Sequence, residues 1–158
     1  ICNYLIKNYN ATILIFGGND EVDLKKDIYM SIESKDKAII IGVDKIKKSA
    51  ALIKRCDYFI SNDSGLMHIA SAVNTPIIAV TGIVDYKRTH PLNKNSAIIS
   101  STIECYPCYK FGENLHCKRK EKDYACLKYI SIYNIISTLE KLRKNEDVGP
   151  ILERVQNK

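Results

Sequence analysis

Directly after the apolar run Tyr58-Phe59-Ile60 the chain reads Ser61-Asn62-Asp63-Ser64-Gly65-Leu66-Met67-His68. Small polar residues feeding into a helix that starts near a glycine leave several backbone N–H groups without intrahelical acceptors, and the helix dipole adds partial positive charge there. That combination suits a phosphate or a pyrophosphate. Gly65 lets an anion approach the backbone, Ser64 offers a hydroxyl, and His68 lies one turn further on, away from the stripe of Leu66, Ile69 and Val73. Asp63 would repel a phosphate, which points its carboxylate to orienting the loop or meeting a hydroxyl. Asp63 and Ser64 are equally good helix caps, and on spacing alone capping competes on even terms.

Three further turns follow apolar runs: Gly17-Gly18-Asn19-Asp20-Glu21, Gly42-Val43-Asp44, and Thr81-Gly82 continuing to Asp85. Glu21 has two readings. In a first helical turn a carboxylate is favoured by the dipole alone, and beyond a strand an acidic residue can also accept hydrogen bonds from ribose hydroxyls. Nothing matches the Gly-x-Ser-x-Gly elbow of a hydrolase nucleophile at Ser64. Gly17-Gly18 is only part of a dinucleotide fingerprint, which disfavours an oxidoreductase.

The elements that must hold these turns are legible from hydrophobic periodicity. Short runs rich in β-branched residues at Thr12–Phe16, Ala38–Ile41, Tyr58–Ile60, Ile77–Val80 and Ala97–Ile99 predict buried strands. Between them the period becomes helical, with Leu24, Ile28 and Ile32, then Ile46, Ala50 and Ile53, then Leu66, Ile69, Ala70 and Val73 each marking one buried face. Asn19 or Asp20, Asp44, and Asp63 or Ser64 stand where caps belong. Such alternation requires parallel strands joined by right-handed crossovers, a Rossmann-like doubly wound α/β sheet. Its ligands sit beyond the carboxyl ends of the strands, where all four turns fall. A last helix is predicted from Ser131 as cap, with Ile132, Ile135, Ile136, Leu139 and Leu142 on one face. The expected organisation is one domain over residues 1–144, with a Cys-rich insertion at 105–126 and a loose or docked tail at 145–158.

Composition agrees. The chain has 158 residues, 46% hydrophobic and 27% charged, with net charge +6, which describes a globular domain and excludes a disordered one. Its longest uncharged apolar stretch, Ala38 to Val43, falls far short of the ~20 residues of a membrane-spanning helix. Residues 1–9 lack the features of a signal peptide. Because the chain starts at Ile1 rather than Met, a piece of a longer protein is expected.

The run from Leu52 to Pro76, with Asp63-Ser64-Gly65-Leu66-Met67-His68 at its centre, resembles the signature of glycosyltransferase family 9, the ADP-heptose:lipopolysaccharide heptosyltransferases. Phe16-Gly17-Gly18 with Glu21 resembles that family's Gly-rich turn and following acidic residue, and Gly82, Asp85, Arg88, Thr89 and Pro91 match positions of its next loop. The resemblance implies the carboxyl-terminal, donor-binding half of a GT-B type enzyme. Asp63, Ser64, Gly65, Leu66 and His68 would then meet the donor diphosphate, Glu21 the nucleoside, and Gly42 to Asp44 the base. It implies transfer of a sugar from a nucleoside diphosphate sugar, ADP-heptose by the family's habit, to lipopolysaccharide or another envelope glycan. By the same resemblance the reaction would invert the anomeric centre and need no metal. The family's catalytic base and phosphate-binding lysine match no position of this chain, so no catalytic residue is assigned. Where members often read Gly-Pro-Thr-Asp-Pro, this chain has Gly82-Ile83-Val84-Asp85-Tyr86. The implied location is cytoplasmic, with peripheral contact at the inner face of the bacterial plasma membrane.

Four of the six cysteines fall as Cys105-x2-Cys108-x8-Cys117-x8-Cys126. Cys-x2-Cys is a zinc half-site, so structural zinc is one reading, beside free thiols, two disulfides and an iron–sulfur cluster. From Cys105 to Lys128 six basic residues (Lys110, Lys118, Arg119, Lys120, Lys122, Lys128) face three acids (Glu113, Glu121, Asp123), leaving +3. That excess reads either as a solvated loop or as contact with anionic headgroups. A zinc-stapled module binding nucleic acid is the alternative function. It lacks a stripe of exposed aromatics among the charges and leaves the α/β body unexplained, so no nucleic-acid partner is expected.

Overall fold

The computed structural model describes residues 1–42, 45–101, 103–109, 116–117, 119–121, 123–146, 148 and 151–153. They form two compact units, Ile1–Ile46 and Lys47–Lys158.

The first unit opens with α1 (Cys2–Tyr9), which ends at Asn10 in the left-handed region with φ 52°. Then come β1 (Ile13–Ile15), a 3₁₀ turn at Asn19–Glu21, α2 (Val22–Ser31), a second 3₁₀ turn at Lys35–Lys37 and β2 (Ala38–Ile40). The two strands pair in parallel with Ile13 opposite Ala38. Ile15, Ile32 and Ala38 form the core, with Cys2, Ile6, Ile13 and Tyr29 packed against it. The Asn3 side chain ties α1 to the end of α2, donating from Nδ2 to the Ser31 carbonyl at 3.2 Å and accepting from the Glu33 N–H at 3.0 Å.

Of the face expected for α2, Ile32 is buried but the rest is not. Leu24 is 56% and Ile28 37% exposed, whereas Lys25 is only 4% exposed. Lys25 Nζ donates to the Gly17 carbonyl at 3.2 Å, and its alkyl stem lies against Gly17. A lysine stem covers apolar and backbone surface as a hydrophobe does when its head finds an acceptor. That bond turns the helix by one residue from the phase of its leucine and isoleucine. Strand β2 departs as well: Ile39 and Ile40 are exposed, since a two-stranded ribbon gives its outer residues few neighbours.

The second unit carries α3 (Ile46–Ile53, its first residue at the border), β3 (Phe59–Asn62), α4 (Gly65–Ala72), β4 (Ile77–Thr81), α5 (Tyr86–Thr89), β5 (Ser96–Ser101), α6 (Ala125–Lys128), α7 (Ile132–Arg143) and β6 (Ile151–Glu153). Its sheet runs β3-β4-β5-β6, with every pair parallel. Consecutive residues Ile77, Ile78 and Ala79 of β4 are fully buried, as in an inner parallel strand covered on both faces.

The α/β alternation with parallel strands stands as expected, distributed over two sheets among the described residues. All five expected strands form, with ends shifted by at most two residues. Ile53 is buried as expected, while Ile46 is 67% exposed. In α4 the fully buried residues are Met67 and Ala70, flanked by half-buried Leu66, Ile69 and Val73. Helix α7 starts at Ser131, whose side chain accepts from the Tyr133 N–H, and it buries Ile135, Thr138 and Leu139. Ile132 is exposed. Periodicity did not predict α1, α5, α6 or β6; the last pairs Ile151 with Ile99 and docks part of the tail on the sheet.

Candidate functional site

Strand β3 ends at Asn62 and α4 begins at Gly65, so Asp63 and Ser64 form the whole connection. Ser64 takes the extended N-cap conformation but its side chain makes no capping bond. Its hydroxyl instead meets the Ser61 hydroxyl at 3.2 Å. The Met67 and His68 N–H groups donate to the Ser64 carbonyl, whereas the N–H groups of Gly65 and Leu66 precede the first intrahelical bond.

Asp63 does not cap the helix either. Its Oδ2 accepts from the Thr89 hydroxyl at 2.5 Å. The carboxylate thereby fastens the turn after β3 to α5, and it keeps its charge engaged with a hydroxyl, one of the two uses its chemistry allowed. Removing the pair should show it. In a double-mutant cycle of Asp63→Ala and Thr89→Ala, the coupling in unfolding free energy is expected near 1.5 kcal/mol, the lower end for a hydrogen bond to a charged group because both residues are half-buried. Additive effects would mean that the bond holds nothing.

Gly65 is exposed, and a Cβ placed on it would meet no atom within 4 Å. Its lack of a side chain is therefore not required by packing. Open space before free amides at the carboxyl edge of a parallel sheet is where an anion binds. His68 is exposed and Leu66 half-buried, one turn or less from these amides.

The next turn differs. Asp85 caps α5, its Oδ1 accepting from the Lys87 N–H at 3.1 Å, and the Tyr86 N–H donates to the Tyr106 hydroxyl. A Cβ on Gly82 would come within 2.6 Å of Leu127 Cγ and 3.2 Å of Cys126 Sγ. Here the glycine is required by close packing of α6.

Glu21 belongs to the first unit. Its Oε2 accepts from the Gly18 N–H at 2.7 Å, so the carboxylate braces the Gly17-Gly18 turn, the use the dipole alone would favour. Asp44 lies outside the described residues, and Gly42 is exposed. The structure brings Asp63, Ser64, Gly65, Leu66 and His68 together in one turn; Glu21 stands in its own unit. Spacing did not reveal the roles of Ser61, Lys25 or Tyr106. Each acts through a partner in another element or through a hydroxyl that no pattern marks.

The four clustered cysteines are free, Cys117 and Cys126 buried, Cys105 and Cys108 half-buried. Burial, reinforced by the neighbouring Cys108, Cys105 and Cys117, pushes the Cys126 thiol up to about 11. Cys105 is also raised, by burial first and then by Cys108. Cys105 and Cys126 share a small core with Ile83, Ile103, Tyr106 and Ala125. Among the described residues no three His, Cys, Asp or Glu side chains are grouped to hold a metal ion.

Comparison with known proteins places this arrangement. The description Glycosyltransferase family 9 (heptosyltransferase) matches residues 3–119. The chain belongs to that family. Lipooligosaccharide heptosyltransferase 2 of Campylobacter jejuni is 30% identical over 134 residues, covering 82% of this chain and 40% of that protein. Lipopolysaccharide heptosyltransferase 2 of Escherichia coli is 28% identical over 90 residues, 55% of this chain and 26% of the relative. The family 9 member therefore spans less than half the length of these relatives. Among solved structures, a glycosyl transferase family 9 protein from Veillonella parvula superposes with a TM-score of 0.71 at 22% identity, over 92% of this chain and 40% of the other. E. coli ADP-heptose LPS heptosyltransferase II gives 0.66 at 23%, over 85% and 37%. The fold is that of these GT-B type glycosyltransferases.

Proposed function

We propose that this family 9 chain forms the donor-binding part of a glycosyltransferase that moves a sugar from a nucleoside diphosphate sugar, with ADP-heptose as donor, to lipopolysaccharide or another envelope glycan. The observation that carries this reading is the amino end of α4, where neither Ser64 nor Asp63 caps the helix and the space before Gly65 is open. The amides of Gly65 and Leu66, backed by the helix dipole, face the position where a diphosphate would gain charge as it leaves. Ser64 adds a hydroxyl and His68 a polar edge. An acceptor hydroxyl would attack the anomeric carbon in line, inverting it, with the diphosphate departing toward α4. No residue of this chain is assigned to proton transfer.

The proposed setting is the cytoplasmic face of the inner membrane; no helix of the described residues is long and apolar enough to cross it. The nucleic-acid alternative is not favoured. Arg119, at the centre of the basic segment, is engaged by Asp123 at 2.9 Å and Glu121 at 3.6 Å, which removes a cation from phosphate binding. Isothermal titration with ADP, UDP and GDP tests the proposal. Weak binding with ADP preferred, and no sugar transfer by residues 1–158, is the expected outcome; absence of binding to all three overturns it.

Structural zinc on Cys105, Cys108, Cys117 and Cys126 stays a proposal that ligand spacing alone supports. Metal analysis of the purified chain decides it. One zinc per chain, lost in Cys108→Ser, bears it out, whereas four thiols that titrate freely without metal remove it.

A further inference from the structure

Helix α5 stands between two parts of the second unit that lie far apart in the chain, the turn after β3 and the Cys-rich segment. At one end Thr89 donates to Asp63 Oδ2 at 2.5 Å. At the other the Tyr86 N–H donates to the Tyr106 hydroxyl at 3.2 Å. Between these bonds lies a single helical turn, closed by the Arg88 N–H on the Asp85 carbonyl at 3.0 Å and the His90 N–H on the Tyr86 carbonyl at 2.9 Å. One closed turn contains no hinge, so a shift of its first residue carries Thr89 with it.

Tyr106 is itself held in place. Its N–H donates to the Ile103 carbonyl at 2.9 Å, and it packs with Ile83 and Cys105 against the small core of Ile103, Ala125 and Cys126. Three residues further on, the Tyr109 N–H donates to the Ile83 carbonyl at 3.0 Å, while Cys126 and Leu127 close over Gly82. The bond to Tyr86 is not one that the helix needs in order to form. Tyr86 follows the Asp85 cap, and an N–H at that position has no intrahelical acceptor in any helix. Solvent would satisfy it equally well, so a fixed phenol in that place sets where the helix stands rather than whether it exists. A proline at position 86, which family members often carry, could not make this bond.

We propose that Tyr106 is a positioning residue for the diphosphate turn: through α5 and Thr89 it sets where the Asp63 carboxylate stands, and with it the amides of Gly65 and Leu66. The last link is short, because Asp63 and Ser64 form the whole connection from β3 to α4. Tyr106 touches no ligand in this scheme and acts only through the helix it holds. What the turn binds rests on the functional reading above; the coupling from Tyr106 to Gly65 does not. Its size is bounded by its weakest link, a hydrogen bond between neutral groups. That bound corresponds to a change of about 2- to 10-fold in ligand affinity.

The bond can be cut from either end. Tyr106→Phe removes the acceptor and keeps the ring, while Tyr86→Pro removes the donor at a helix position that favours proline. Three readouts are taken on the 158-residue chain: calorimetric titration with ADP, thermal melting, and the nuclear magnetic resonance shifts of the Gly65 and Leu66 amides. Each single variant is expected to weaken ADP binding about 2- to 10-fold and to move both amide resonances, with cooperative melting retained. The double variant should lose no more than the stronger single one, since both delete the same bond. Thr89→Val should act in the same direction and Thr89→Ser restore the parent's values, because the link is the hydroxyl. Tyr129→Phe and Tyr133→Phe, at side chains 54% and 75% exposed after the last cysteine, are the controls and should change nothing. Unmoved resonances with parent-like ADP affinity in Tyr106→Phe overturn the proposal. So do additive losses in the double variant, or loss of cooperative melting in both single variants, which would make the bond a support of the fold alone. A parent chain that binds no ADP removes the donor-site reading. The resonances then decide the coupling by themselves: it stands if they move in both single variants and falls if they do not.

Discussion

Gly65→Val is expected to leave the chain folded and to weaken its affinity for ADP about 10- to 100-fold, the equivalent of one charge-assisted hydrogen bond at about 1.5–3 kcal/mol. The two halves of this expectation have separate grounds. Stability is preserved because a Cβ at this position meets nothing within 4 Å, and because glycine in a first helical turn is itself a poor helix former. Affinity falls because the added side chain occupies the space through which a phosphate reaches the amides of Gly65 and Leu66. Calorimetric titration with ADP and thermal melting read the two effects separately. A melting temperature like the parent's with unchanged ADP affinity would place the diphosphate elsewhere; a chain that no longer melts cooperatively would mean that this glycine serves the fold. Gly65→Ala supplies the graded comparison, with a smaller loss in the same direction.

The largest effect on stability is expected from Ile78→Ala, a destabilisation of about 2–5 kcal/mol against a total of about 5–15 kcal/mol for a domain. Ile78 is fully buried in β4, which has β3 on one side and β5 on the other. Its neighbours are held by a parallel hydrogen-bond ladder and cannot close the space left by the removed methyl and methylene groups. The partner measurement is Ile46→Ala, at a side chain 67% exposed, expected within about 0.5 kcal/mol of the parent. Urea unfolding reads both. Equal losses at the two positions would mean that the sheet of the second unit is not where stability resides.

Much of the strand framework was legible because a buried parallel strand writes itself as a short, continuous β-branched run that has no competing explanation. The amino end of α4 was legible for a similar reason. Ser64 and Gly65 have their function next to each other in the chain, in the backbone geometry that the strand-to-helix step imposes. Helix faces were less legible. Leu24 and Ile28 have the right spacing, yet Lys25 takes the buried position, because a hydrogen bond to the Gly17 carbonyl outweighs the small difference between burying one alkyl stem and another. Exposed isoleucines and leucines are common enough that spacing alone cannot fix the phase of a ten-residue helix.

The chain's order of residues was sufficient to determine the α/β class, the family and the turn at Asp63 to His68, since each is a local pattern read along a contiguous stretch. Only the tertiary structure decided that Asp63 is held by Thr89 rather than by the helix it precedes, and that Ser64 turns to Ser61. It alone decided that Gly82 is a packing glycine while Gly65 is not, and that the tyrosines following the cysteines stand in solvent. These are relations between side chains brought together by the fold or differences in free volume. A linear pattern carries neither, because both depend on which surfaces the folded chain brings within a few ångströms of one another.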